Sequence, residues 1–441
     1  MTSNWKEDYK KKTVSAEQAV KVIKSGDRVS FTHGREPPTI SLAMIARKDE
    51  LKGVKIFMRT PSLDFGWYHQ DWDENFHIEI SYVRAIARKM MAERRCDFVP
   101  GSLIGITPQN PQVGSADVLM IELSPPDEQG FCSFGASVWG KKKAVQSAKT
   151  VIAEVNKSFI RTYGDNSIHV SEIDYFVEQT VSEKQTTDTD QLGRKTRESG
   201  KEDKNIAEYV GSLIQDGDTL QIGVGSASEC VVENRGLDNK IDLGWHSETT
   251  PRGIIKLVRN GVITGKRKTV NTGKLVAISL GGIGDDMKFV DRNPMFELYD
   301  AEYVLDPRVI SSNDRFVGIN AGVAIDLTGQ IAAESIGPAI LSGPGGQLSF
   351  AIGAQLSKGG RFITTLQSTA RGGKISRIVP ILKEGSMVTV PRTLADLVVT
   401  EYGIAQLRGK THRERALELI AIAHPDFRAD LKKQAQALFW P

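Results

Sequence analysis

Residues 26–34 read GDRVSFTHG and residues 217–225 read GDTLQIGVG. Each is a Gly-Asp pair, a short run of β-forming residues and a turn that ends in glycine. Each follows a stretch with helical apolar spacing, AEQAVKVIKS (16–25) or IAEYVGSLIQD (206–216). There Ala19, Val22 and Ile23, or Tyr209, Leu213 and Ile214, recur at three- and four-residue steps. Each precedes another strand-like segment, VKIFMR (54–59) or KIDLGW (240–245). The offset, 217 − 26 = 191 residues, is near half of the 441-residue chain. A repeat at that period predicts a duplicated α/β unit.

The stretch between the two copies supports the same cut. Residues 182–205, SEKQTTDTDQLGRKTRESGKEDKN, contain one strongly apolar residue, Leu192. Such a segment buries little surface and reads as an exposed linker. Strand-like runs recur on both sides: VLMIEL (118–123), TVIAEV (150–155), KLVAISL (274–280), FITTL (362–366) and SMVTV (386–390). They alternate with helical stretches, which predicts α/β architecture with mainly parallel sheets. The expected organisation is an N-terminal α/β domain over 1–190, a linker over 191–205 and a C-terminal α/β domain over 206–441. Helical spacing resumes in RERALELIAIAHPDFRADLKKQAQAL, interrupted at Pro425.

Composition excludes several classes of function. Net charge is +3, too small for a nucleic-acid stripe or an anionic-membrane binder. No run of about 18 apolar residues is present, so no membrane span is expected. The start, MTSNWKEDYKKKTVS, lacks the apolar core of a secretory signal. The three cysteines, Cys96, Cys132 and Cys230, lie far apart and cannot build a disulfide framework or a thiolate zinc site. A reducing, cytoplasmic location is expected. The seven histidines show no metal-ligand spacing, so no metal is expected.

Four segments are candidates for chemistry, and three of them cluster glycine. In QIGVGSASECVVEN (221–234) a strand ends at Gly223-Val224-Gly225, and Ser228 can cap a helix starting near Glu229. Backbone N–H groups at such a turn face an anion, although an ordinary strand-to-helix turn has the same pattern. In DLGWHSETTPRGIIKLVRNG (242–261) a strand is expected to end near Trp245, with Thr250 and Pro251 as cap and first helical residue. Glu248 then sits outside a helix N-terminus at a strand's carboxyl end, where open α/β sheets place ligands. The helix dipole would favour its ionised form; a solvated loop acid is the other reading. In LSGPGGQLSFAIGAQLSKGG (341–360), Gly343, Gly345 and Gly346 precede a helix expected over 348–358. They permit close backbone approach to a ligand, or simply a tight turn. In QSTARGGKISRIVP (367–380), Arg371, Lys374 and Arg377 make a compact basic loop suited to phosphate, or a solvated turn.

Taken together, these segments and several others resemble the acetyl-CoA hydrolase/transferase group of family I CoA-transferases, typified by 4-hydroxybutyrate, butyrate and acetate CoA-transferases. In the first half the likeness is carried by SPPDEQGFCSFGASV (124–138). In the second half it is carried by DLGWHSE (242–248), NPMFELYDAEYVLDP (293–307), DLTGQIAAESIG (326–337), GPGGQLSF (343–350), STARGGKISRIVP (368–380), VVTEYGIAQLRGK (398–410) and AHPDFR (423–428). The resemblance implies two similar open α/β domains and transfer of CoA between a short-chain acyl-CoA and a carboxylic acid. It implies ping-pong catalysis by Glu248 through a glutamyl-CoA thioester. It also implies CoA contacts at Gly223, Val224, Gly225, Ser226, Ala227, Val323, Gly345, Gly346, Gln347, Arg371 and Lys374. CoA would be substrate and covalent intermediate, with no tightly bound cofactor. The family forms homodimers or larger homo-oligomers.

Departures and alternatives stand beside this. HGREPPTI (33–40) carries Arg35 and Glu36 where related enzymes have small or apolar residues. The segment 59–80, rich in Trp, Tyr, Phe and His, is not matched to the common short-chain members and fits a core cluster or an acyl-site wall. His246 fits a site-orienting role or a satisfied structural one. An acyl-CoA hydrolase would use the same Glu248, and a non-catalytic CoA- or nucleotide-binding module would keep the glycine turns without the chemistry.

Overall fold

The computed structural model describes residues 4–101, 116–181 and 199–440. The chain divides into two compact units, Met1–Lys195 with Ile283–Ala301, and Thr196–Gly282 with Glu302–Pro441.

In the first unit the strands are β1 (Arg28–Phe31), β2 (Val54–Met58), β3 (Phe76–Ile80), β4 (Cys96–Phe98), β5 (Val118–Leu123), β6 (Thr150–Val155) and β7 (Tyr175–Glu178). They lie in the order β7-β6-β5-β1-β2-β3-β4, all parallel. Every residue of β5 is buried, as a parallel strand covered on both faces requires.

In the second unit the strands are β8 (Thr219–Ile222), β9 (Gly244–Thr250), β10 (Leu275–Leu280), β11 (Phe316–Ala321), β12 (Arg361–Thr365), β13 (Leu397–Thr400) and β14 (Gly403–Gln406). They lie side by side in the order β14-β13-β12-β11-β8-β9-β10, with only the β13–β14 pair antiparallel. Both units are thus open, mainly parallel α/β sheets.

The two sequence copies occupy the same place in the two sheets. β1 lies between β2 and β5; β8 lies between β9 and β11. In each sheet the chain builds outward on one side of this strand and then returns to its other side. The crevice at such a reversal, outside the strands' carboxyl ends, is where open α/β sheets bind ligands.

The Gly-Asp pair has the same local job in both copies. Gly26 and Gly217 adopt φ of +82° and +77°, a region that glycine enters without steric cost. Asp27 accepts a hydrogen bond from Lys24 N–H, and Asp218 from Gln215 N–H, three residues upstream in each case. Asp218 is also fully buried and paired with Arg315 and Arg361.

Several elements differ from the sequence reading. The polar stretch lies outside the described residues as far as 198, but a helix already runs over Lys201–Leu213. Its Asp203 is buried, accepting from Gly200 N–H and from Gln367 Nε2. The segment 16–25 forms only a short α turn, Ala16–Ala19, and a 3-10 turn, Val20–Val22. SMVTV is not a strand; Val390 alone bridges Ile331. Two helices close the chain, His412–Ala421 and Pro425–Phe439, with Pro425 in the first turn of the second. No helix among the described residues is long and apolar enough to cross a membrane.

Candidate active site

The strand carrying Glu248 runs further than the Thr250-Pro251 cap signal suggests. Pairing between β9 and β10 continues through Thr249–Ser279 and Thr250–Leu280. The following helix, Ile254–Arg259, is preceded by Gly253 and not by Thr250. Ladder pairing outweighs the local cap because each added pair satisfies buried backbone groups. Glu248 is therefore a strand residue near the carboxyl end of β9, flanked by the buried Ser247 and Thr249.

A different helix reaches it. The GPGG segment leads into the helix Gln347–Leu356, one residue ahead of the expected start. Gly346 N–H donates to Glu248 Oε2 at 2.6 Å. The approach is too close for any side chain. A Cβ on Gly346 would lie 2.5 Å from that oxygen and 2.5 Å from Leu305 Cδ2; one on Gly345 would lie 3.5 Å from Glu248 Oε1. The second and third sequence candidates thus form one site, across 98 residues of chain.

The electrostatics reverse the sequence expectation. Burial pushes the Glu248 carboxyl up to about 7, and the Gly346 N–H only partly offsets this. Desolvation disfavours the charged form, and no arginine or lysine is among the causes that shift it. Burial thus opposes the fully ionised state expected beside a helix N-terminus.

His246 is structural in its contacts. It is fully buried, its Nε2 donates to Val304 O at 2.8 Å, and burial lowers its pKa to about 3. A carbonyl can only accept, so the proton is on Nε2 and the ring is neutral. This bond anchors Val304, next to the Leu305 that crowds Gly346. Leu305 belongs to the YVLDP motif, and no local pattern there places it against a residue 41 positions on.

The remaining candidates divide. Gly223-Val224-Gly225 follows β8 at the reversal point, and the helix Ser226–Glu233 starts there, earlier than the expected Glu229. Ser228 is not the cap. Its Oγ donates to Gly223 O and Gly225 O inside the first turn. A Cβ on Gly225 would lie 2.8 Å from the Ala321 Cβ, so this turn packs closely on β11, just ahead of Val323. Gln347 is 7% exposed and its Nε2 has no hydrogen-bond partner among the described residues. Arg371 and Lys374 are exposed in the turn between Thr369–Ala370 and Ile375–Ser376, and their side chains make no hydrogen bond or ion pair among the described residues. Among the described residues no hydrogen bond or ion pair ties them to Glu248.

Residues 1–184 match the model of the acetyl-CoA hydrolase/transferase N-terminal domain, and residues 282–435 that of its C-terminal domain. The chain belongs to the acetyl-CoA hydrolase/transferase family. It is an enzyme of the CoA-transferase type. The enzyme is 42% identical to the 4-hydroxybutyrate coenzyme A transferase of Clostridium kluyveri over 438 residues, 99% of this chain and 100% of the relative. It is 34% identical to the succinyl-CoA:cyclohexane-1-carboxylate CoA transferase of Geobacter metallireducens, over 99% and 97% of the two chains. The structure of RipA from Yersinia pestis superposes with a TM-score of 0.90 at 30% identity, covering 99% of this enzyme and 100% of RipA. The two family models leave out 185–281, the stretch holding Glu248 and the first glycine turn; the full-length relatives span it.

Proposed function

We propose that the enzyme moves CoA from an acyl-CoA to a free carboxylic acid, with Glu248 as nucleophile. The observation that carries this is a crowded carboxylate at a strand's carboxyl end, held at one oxygen by a backbone N–H. The ionised carboxylate attacks the acyl carbonyl carbon, the C–S bond breaks, and CoA leaves as thiolate. The product on the enzyme is a mixed anhydride. The thiolate attacks the glutamyl carbonyl and expels the first acid, leaving a glutamyl-CoA thioester. A second acid's carboxylate attacks that thioester and releases CoA thiolate. The thiolate then takes the new acyl group and restores the Glu248 carboxylate.

A carboxylate suits this role because both enzyme intermediates stay activated acyl groups. When the glutamyl carbonyl is attacked, charge grows on its oxygen. The Gly346 N–H at 2.6 Å from Oε2 is already aimed there, as an oxyanion donor must be. The Gly223–Ala227 turn with Val323 would take part of CoA at the second sheet's reversal point, and the exposed Arg371 and Lys374 suit its phosphates. The unpartnered Gln347 amide is a further donor beside the site. Short-chain acyl-CoAs are the expected donors, the protein is expected to act as a cytoplasmic homodimer or larger homo-oligomer, and no nucleic acid or membrane takes part.

The intermediate is the direct test. After incubation with acyl-CoA in the absence of an acceptor acid, borohydride should reduce Glu248 and inactivate the enzyme, with the change found by peptide mass. Reduction at another residue, or none, overturns the assignment. A labelled acid separates transfer from hydrolysis. Label in acyl-CoA supports transfer, and free CoA alone means hydrolysis.

The raised pKa sets the pH dependence. Only the carboxylate attacks, so protonation removes activity. kcat/KM for acyl-CoA, which reports the free enzyme, should climb about tenfold per unit below pH 7 and level off above it. A flat profile from pH 5 to 8 would show that Glu248 titrates normally or does not attack.

A further inference from the structure

His246 and Glu248 stand two residues apart in β9, on the same face of the sheet, because side chains alternate along a strand. What covers that face joins them. His246 Nε2 donates to Val304 O at 2.8 Å. The next residue, Leu305, lies against Gly346, whose N–H holds Glu248. Leu305 Cδ2 and Glu248 Oε2 each lie 2.5 Å from the point where a Cβ on Gly346 would stand. Leucine and carboxylate therefore share the space that the missing side chain leaves.

Leu305 is held from both sides. Val304 ends the short helix Ala301–Val304, and Pro307 opens the helix Pro307–Ser311, whose Asp306 cap accepts from Arg308 N–H at 2.8 Å. Leu305 lies between the two helices and is fully buried. The last carbonyls of a helix have no partner within it, and His246 supplies one for Val304. The surroundings fix which proton is offered. The buried Lys268 donates from Nζ to Trp245 O and Lys274 O, both at 3.0 Å, and together with burial it holds the imidazole neutral. Phe316 on β11 and Tyr303 stand 6.2 and 6.3 Å from the ring, centroid to centroid. His246 Nδ1 has no hydrogen-bond partner among the described residues, so the one N–H of the ring is committed to Val304.

We propose that His246 is a positioning residue: through Val304 and Leu305 it keeps Gly346 pressed against Glu248, with the N–H aimed at the carboxylate, during CoA transfer. The nucleophilic role of Glu248 rests on the transferase reading; the linkage itself is measurable without turnover. His246→Phe keeps a flat ring and removes the donor, and His246→Gln returns an N–H near the place of Nε2. In the phenylalanine variant kcat should fall about ten- to a hundredfold with little change in KM for acyl-CoA. The pH midpoint of kcat/KM should rise, because the Gly346 bond lowers the pKa of Glu248. Hydrogen exchange at the Gly346 amide, read from overlapping peptides, should quicken about tenfold. Glutamine should recover most of all three. A lower melting temperature with the midpoint and the Gly346 exchange of wild type would overturn the proposal, and so would a glutamine variant that behaves like phenylalanine. If His246→Phe does not fold, Leu305→Val cuts the next link and should give the same three changes. Faster Gly346 exchange in a variant of an enzyme whose Glu248 takes no borohydride label would uphold the linkage and overturn the nucleophile, so the two readings fail separately.

Discussion

Glu248→Ala should lower CoA transfer by about three orders of magnitude or more while leaving the fold intact. The side chain stands near the end of β9, bonded by the Gly346 N–H, and makes no ion pair among the described residues, so truncation removes the nucleophile without stranding a charge. It does strand the Gly346 N–H, a cost that water in the vacated space can meet. Glu248→Gln sharpens the test. Its amide oxygen can still accept from Gly346, and its shape is unchanged, yet it cannot form the anhydride. Equal loss in both variants locates the effect in nucleophilicity; activity retained in Gln would reduce Glu248 to an orienting acceptor. Stability gives an independent sign. Because the folded carboxyl binds its proton more tightly than the usual Glu value of 4.5, the native state binds more protons than the unfolded one between about pH 4.5 and 7. Stability from this residue therefore falls as pH rises through that window. The glutamine variant should melt higher than wild type at pH 8 and show little difference at pH 4.

The duplicated frame was legible because its signals are local. A Gly-Asp turn whose aspartate bonds an N–H three residues back, followed by four strand residues, is written in nine consecutive letters. The site was legible only as separate parts. Nothing in DLGWHSETT or GPGGQLSF says that they touch, since 98 residues of sheet and helix set that contact. For the same reason the local pattern points Glu248 at its own downstream helix, which is the wrong one, and at an ionised state that burial opposes. Thr-Pro argued for a cap at 250, but the strand's end was decided by pairing with Leu275–Leu280, a partner the sequence does not name. SMVTV differs in the opposite way: among the described residues its β-forming residues have no neighbouring strand to pair with along their length, only the Val390–Ile331 bridge.

Gly346→Ala should cost about 10²- to 10³-fold in kcat, the range for losing one oxyanion donor. The backbone is not the obstacle, because Gly346 has φ of −89° and ψ of 8°, open to any residue. The contact is. An added Cβ would stand 2.5 Å from Glu248 Oε2, 2.5 Å from Leu305 Cδ2 and 3.1 Å from Leu305 Cδ1. Leu305 is fully buried, so the softer response is for the carboxylate to swing away and lose its 2.6 Å bond. Folding should survive with a loss of about 1–3 kcal/mol, the usual cost of overpacking. The pH profile distinguishes this from a general disturbance. The Gly346 bond lowers the pKa of Glu248, so breaking it should move the midpoint of kcat/KM above 7. Gly345→Ala is the control. Its φ of +56° would cost stability through the backbone, yet its Cβ would meet Glu248 only at van der Waals distance, 3.5 Å. It should destabilise by about 1 kcal/mol and leave the midpoint in place. A Gly346→Ala enzyme with wild-type kcat and an unmoved midpoint would mean that the N–H contact has no part in the chemistry.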